Sequence, residues 1–183
     1  MAELHILGQI VGGSHFQSKN IFCKWGLKTG QNFELIEGIT EGQTQVDHPF
    51  EDEMAVWAQP LDVHYACRGI TGWPKLHFQV WSQDVHARND ICGYGFCHVP
   101  TSPGIFTVEC PCWIPEGTDL QQVTSYFVGG APRLKHEDII YSPGDRFRLR
   151  TKSTGVIHVH FQLVLKNFER YGVKFSSEDE WIH

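Results

Sequence analysis

The chain has 183 residues, 41% hydrophobic and 20% charged, with a formal net charge of −6 when its 11 histidines are neutral. That length suffices to bury a substantial core, and the acidic balance excludes a general binder of nucleic acid or other polyanions. Met1–His5 lacks the basic start and apolar run of a secretory leader, and no run approaches the ~18 apolar residues of a membrane span, so the expectation is a soluble, cytoplasmic chain.

The elements read as strands. Gly12-Gly13-Ser14 marks a first turn. Leu61, Val63 and Tyr65 alternate with Asp62 and His64, giving a strand with one buried face. Gly72-Trp73-Pro74 is a turn, and Leu76, Phe78 and Val80 alternate with His77 and Gln79 in the next strand. A polar loop runs from Trp81 to Gly93, and Pro100–Gly104 is another turn. Asp119–Phe127 departs from the pattern: Leu120, Val123 and Phe127 recur at helical spacing, with Gly129-Gly130 as the stop. After a turn at Ser142–Asp145, Phe147 and Leu149 alternate with Arg146, Arg148 and Arg150. Lys152-Ser153-Thr154-Gly155 reads as a hairpin turn into a last strand, where Val159, Phe161, Leu163 and Leu165 alternate with His158, His160, Gln162 and Val164. The sum is an all-β chain: an antiparallel β-sandwich of about eight strands with one short inserted helix. Ser176–Glu180 makes an acidic tail.

Chemistry is thinly signalled. There is no P-loop, no Gly-x-Ser-x-Gly elbow and no His-Glu-x-x-His pair, so the expectation is no enzyme and no cofactor. The six cysteines read as free thiols in a reducing compartment; Cys92-x4-Cys97 and Cys110-x-Cys112 approach zinc spacing without repeating it. His158 and His160 share a strand face, from which a metal site with His64 or His77 is conceivable; the plain alternative is a solvated face. Asp84 and Asp90 are weak calcium candidates, too few alone to cage a hard cation, and Asx-type turn bonding is their plain alternative. Arg146, Arg148, Arg150 and Lys152 fall on one strand face and suit an acidic protein partner or an anionic membrane surface, unless that face is simply solvated. The hairpin at 152–155 would set His158 and His160 beside those cations and hold both neutral. Trp57, Trp73 and Trp113 are candidate contacts, with core packing as the alternative.

Four segments carry a resemblance. Phe78–Asp84, with Asn89-Asp90 and Gly93-Tyr94-Gly95, resembles a central part of C2-type domains, and Ser14–Asn20 lacks the aspartates of that family's first calcium loop. Gly42–Asp47, Gly72–Trp81, Gly93–Pro100 and Asn167–Gly172, in that order, resemble the B9-domain family, a divergent C2-like group of ciliary proteins. The resemblance covers residues 3–174 and leaves 175–183 as a C-terminal extension. It implies a non-enzymatic subunit of the tectonic-like (Meckel syndrome) complex at the transition zone and basal body of the cilium. It further implies association with other B9-domain proteins, and a role in ciliogenesis and in gating membrane-protein entry. The competing reading is a phospholipid-binding C2-like module, calcium-dependent only if the depleted loops suffice.

Overall fold

The computed structural model describes residues 1–49, 54–116, 133–134, 136–142 and 149–173. Nine strands follow in order: β1 (Ala2–Ser14), β2 (Ile21–Lys28), β3 (Phe33–Gly38), β4 (Glu41–Gln43), β5 (Ala55–Cys67), β6 (Lys75–Gln83), β7 (Asn89–His98), β8 (Gly104–Pro115) and β9 (Thr151–Lys166). A four-residue helix α1 (Asp138–Tyr141) precedes β9, and a 3-10 turn (Phe168–Tyr171) follows it. The helix expected over 119–127 lies outside the described residues, as do most of the 142–145 turn, Arg146, Phe147 and Arg148 and the acidic tail.

All pairings among these strands are antiparallel, in the order β3-β5-β1-β9-β8-β7-β6-β2-β4. β8 runs along β9 but meets β7 only at Tyr94 and Trp113. There the sheet folds over, so β5, β1 and β9 face β2 and β6. Leu4, Ile6, Val63, Val159 and Phe161 from one layer pack in one core with Cys23, Leu76, Phe78 and Val80 from the other. This is the sandwich that period-2 alternation predicts, with one strand more than expected. The Trp57 indole ties the layers directly: Nε1 donates to the Ile21 carbonyl at 3.2 Å.

Two expected turns are strand instead. Gly12, Gly13 and Ser14 belong to β1. Their glycines are there for close approach: a Cβ on Gly12 would sit 2.0 Å from the Ala55 carbonyl oxygen, and one on Gly13 would sit 2.9 Å from the Trp57 ring. Likewise no hairpin forms at 152–155. β9 runs unbroken from Thr151, with Lys152 opposite Ile114 and Ser153 opposite Trp113. Gly155 leaves room for Phe16, whose Cγ would lie 2.7 Å from an added Cβ. Leu149 and Arg150 precede the strand rather than forming one of their own.

A second apolar cluster lies outside the sandwich. Ile91, Tyr94, Trp113 and Ile140 are buried there, with Trp81, Phe96, Leu134 and Tyr141 against them. Residues 133–134 and 136–142 thus cover the outer face of β6 and β7. The Tyr94 hydroxyl helps fasten this cover by accepting from the Leu134 amide at 3.2 Å.

Candidate functional site

Alternation decides which side chains β2 and β6 present outward. While Leu76, Phe78 and Val80 fill the core, Lys75, His77, Gln79 and Trp81 point the other way. The register sets Lys24 opposite Gln79, Gly26 opposite His77 and Lys28 opposite Lys75. The imidazole of His77 lies across Gly26, where an added Cβ would meet Cε1 at 2.5 Å. Its other neighbour is the Tyr141 ring, 5.1 Å away between centroids. Lys75 Nζ donates to the Tyr141 carbonyl at 3.2 Å, which pins α1 over β6.

Between α1 and the β2–β4 edge this leaves a cleft of ≈ 270 Å³, lined among others by Lys24, Lys28, Glu41, His77, Gln79 and Glu137. Two cations and two carboxylates surround a buried imidazole. Burial first, and then the Lys28 ammonium, pull the His77 pKa below its ordinary 6.5, against the opposing pull of Glu137 and Glu41. Beside the cleft, Trp81 receives two cations: Lys24 Nζ stands 5.2 Å and the Arg133 guanidinium 5.0 Å from its ring centroid. Arg133 also donates to the Asn89 carbonyl at 2.7 Å and stands 3.6 Å from the Asp90 carboxylate. The cleft thus sets charges of both signs beside an aromatic ring.

The other expected residues fall elsewhere. Arg150 and Lys152 are exposed at the start of β9; Arg146 and Arg148 lie outside the described residues. Asp84 folds its own loop, accepting from the amides of His86 and Arg88, both at 2.8 Å. Those backbone bonds, against a smaller opposing desolvation, hold its carboxyl below the usual range. Of the three tryptophans offered as contacts, Trp57 and Trp113 are buried. Trp73 is half-buried, with Nε1 donating to the carbonyls of Val99 and Pro100. Trp57 faces the sandwich core from β5, Trp113 faces the outer cluster from β8, and Trp73 packs against the core from the loop before β6; Trp81, on an outward position, is the one with cations on its ring.

The histidine expectations change as well. Lys152 stands roughly 20 Å along the strand from His158 at ~3.3 Å per residue, so the hairpin neighbourhood that would keep His158 and His160 neutral does not form. His158 instead bonds Ser14 Oγ at 2.8 Å and stands 3.9 Å from Glu109. His77 lies on the opposite layer, and His64 faces Glu3 and His5 rather than His158 or His160. All six cysteines are free thiols. Burial drives Cys23 far above the ordinary thiol range, and Cys97, hydrogen-bonded to the Cys110 thiol and buried, is raised too. Such thiols act as small apolar core groups.

Comparison with known proteins closes the question of family. The family described as "Ciliary basal body-associated, B9 protein" matches residues 4–164. The chain is 52% identical to B9 domain-containing protein 2 of Xenopus laevis over 96% of this chain and 100% of that one. It is 36% identical to the Drosophila melanogaster protein of the same name, over 96% and 100%, and 28% identical to B9 domain-containing protein 1 of Xenopus laevis, over 96% and 90%. Among solved structures, the C2A domain of plant extended synaptotagmin 1 aligns over 90% of this chain and 94% of that one, at 15% identity and a TM-score of 0.43. With its nine-stranded antiparallel sandwich and a profile match spanning β1 to β9, this chain belongs to the family of ciliary basal body-associated B9 proteins.

Proposed function

We propose that the chain is a non-enzymatic scaffold subunit of the tectonic-like (Meckel syndrome) complex at the ciliary transition zone, supporting ciliogenesis and the gating of ciliary membrane proteins. What supports this most is end-to-end similarity: the match to B9 domain-containing protein 2 runs the length of both chains. A module kept whole in this way uses its surfaces, and the cleft beside Trp81 offers charge and hydrogen bonding for recognition. The partners proposed are other B9-domain proteins and subunits of the same complex. The exposed Arg150 and Lys152, with Arg146 and Arg148, remain the proposed contact with an acidic partner or an anionic membrane surface. Calcium-triggered docking has less support, because Asp84 already serves two backbone amides.

Affinity purification from ciliated cells, with transition-zone proximity scored in parallel, tests the reading. Recovery of another B9-domain protein together with transition-zone labelling is the expected result. Reversing Lys24 and Lys28 to glutamate should weaken that recovery about tenfold, the scale of a lost interfacial charge pair, at a melting temperature lowered by roughly 1–4 °C through the lost Lys24–Trp81 contact. Recovery of no B9 partner, with labelling spread through the cytoplasm, contradicts it.

A further inference from the structure

On the outer face of the β1–β5 pair, His5 and His64 are directly opposed residues of antiparallel strands. Their rings stack, with centroids 3.8 Å apart and planes 17° from parallel. Glu3, two residues before His5 on the same face, brings a carboxylate to both: Oε2 is 3.5 Å from His64 Nε2 and 3.8 Å from His5 Nε2. The three donor atoms lie within 4.8 Å of one another. His64 Nε2 is shielded from solvent and has no hydrogen bond.

We propose that Glu3, His5 and His64 form a binding site for a divalent transition metal, of the two-imidazole, one-carboxylate class that takes zinc. Zinc holds imidazole nitrogens at about 2.0–2.1 Å and carboxylate oxygens at about 2.0–2.2 Å, so tetrahedral ligand atoms stand roughly 3.4 Å apart. The two Glu3 distances are within a few tenths of an ångström of that spacing. The two imidazoles lie within 4.8 Å at their donor atoms, and to share one ion a ring must leave the stack by turning about its χ2; the fourth position stays open to water or a partner's side chain. The three side chains lie on the outer face at exposures of 21–33%, so the ring turn that bares His64 Nε2 to an ion leaves the core closed.

Lys166 Nζ stands 3.4 Å from Glu3 Oε2 and competes with an incoming cation for that oxygen. Its side chain is 62% exposed, so a metal can displace it into water. The proposal therefore makes two variants move in opposite directions, which an ion-pair cluster of purely structural role would not do.

The site goes beyond the assembly reading and does not depend on it. The test is zinc titration of the purified, metal-stripped full chain against a chromophoric chelator, with histidine ring nitrogens followed by NMR. The expected result is one zinc per chain, with Nε2 of His5 and His64 shifting together. His5→Gln and His64→Gln should each weaken uptake by at least about tenfold, whereas Lys166→Met should strengthen it several-fold. If His64→Gln fails to fold, His5→Gln and the wild-type NMR titration still decide. Absence of saturable uptake overturns the proposal. So does uptake that His5→Gln leaves unchanged while the His5 and His64 nitrogens stay still, which would place the metal elsewhere on the chain.

Discussion

Trp57 separates a structural role from an interface role, and its environment allows the size of the effect to be worked out. The side chain is 2% exposed, its indole lies against Gly13, and Nε1 donates to the Ile21 carbonyl across the sandwich. Trp57→Phe keeps one ring and removes the pyrrole portion with its N–H. Losing that apolar area and leaving a small void costs about 1–2 kcal/mol. The hydrogen bond adds about 1 kcal/mol, at the low end for a buried group, because the Ile21 carbonyl still accepts from the Asp47 amide at 3.0 Å. The sum, about 2–3 kcal/mol, corresponds to a melting temperature lowered by roughly 4–12 °C for a chain of this size. Thermal unfolding followed by circular dichroism, with B9-partner capture at 20 °C, reads both quantities. The account expects lower stability with capture intact. Unchanged unfolding with lost capture would make Trp57 an interface anchor and refute the reasoning.

Gly26→Ala should destabilise by about 1–3 kcal/mol, since the new Cβ meets the His77 ring at 2.5 Å with Tyr141 behind it; a denaturant midpoint measures this, and an unchanged midpoint speaks against the tight stack. His77 has a pKa lowered in the fold, so its contribution to stability is complete above the ordinary 6.5 and declines as pH falls below it. His77→Phe should flatten that portion of the stability–pH curve, and an identical curve would remove His77 as its source. Arg133→Ala should change Trp81 fluorescence and cost about 1–2 kcal/mol, because an exposed cation–π contact contributes about 0.5–1 kcal/mol and the bond to the Asn89 carbonyl about as much again; a larger loss would mean that Arg133 anchors the cover over β6 and β7.

Alternation was readable wherever a strand buries one face. Leu61, Val63 and Tyr65, Leu76, Phe78 and Val80, and Val159, Phe161 and Leu163 are all inward and buried. Glycine misled at 12–13 and at 155, because the same residue serves a turn and a close strand contact, and only the partner strand tells which. Pairing register explains what remained hidden at the sites. Glu3-x-His5 and His64 are 59 residues apart, and nothing local says that β1 and β5 bring them face to face. Lys24, Arg133 and Trp81 likewise converge from three distant segments. Arg150 and Lys152 looked like one charged strand face, yet only Lys152 lies in a strand.

The most direct test of the assembly reading is binding between this chain and a B9 domain-containing protein 1 from the same organism, both purified, by isothermal titration calorimetry. The account predicts a saturable complex with a Kd below ~10 μM, or about −7 kcal/mol of binding free energy, weakened about tenfold by reversing Lys24 and Lys28. No heat of binding and no co-migration on sizing at ~100 μM of each chain, where even a ~100 μM complex would be visible, would contradict it.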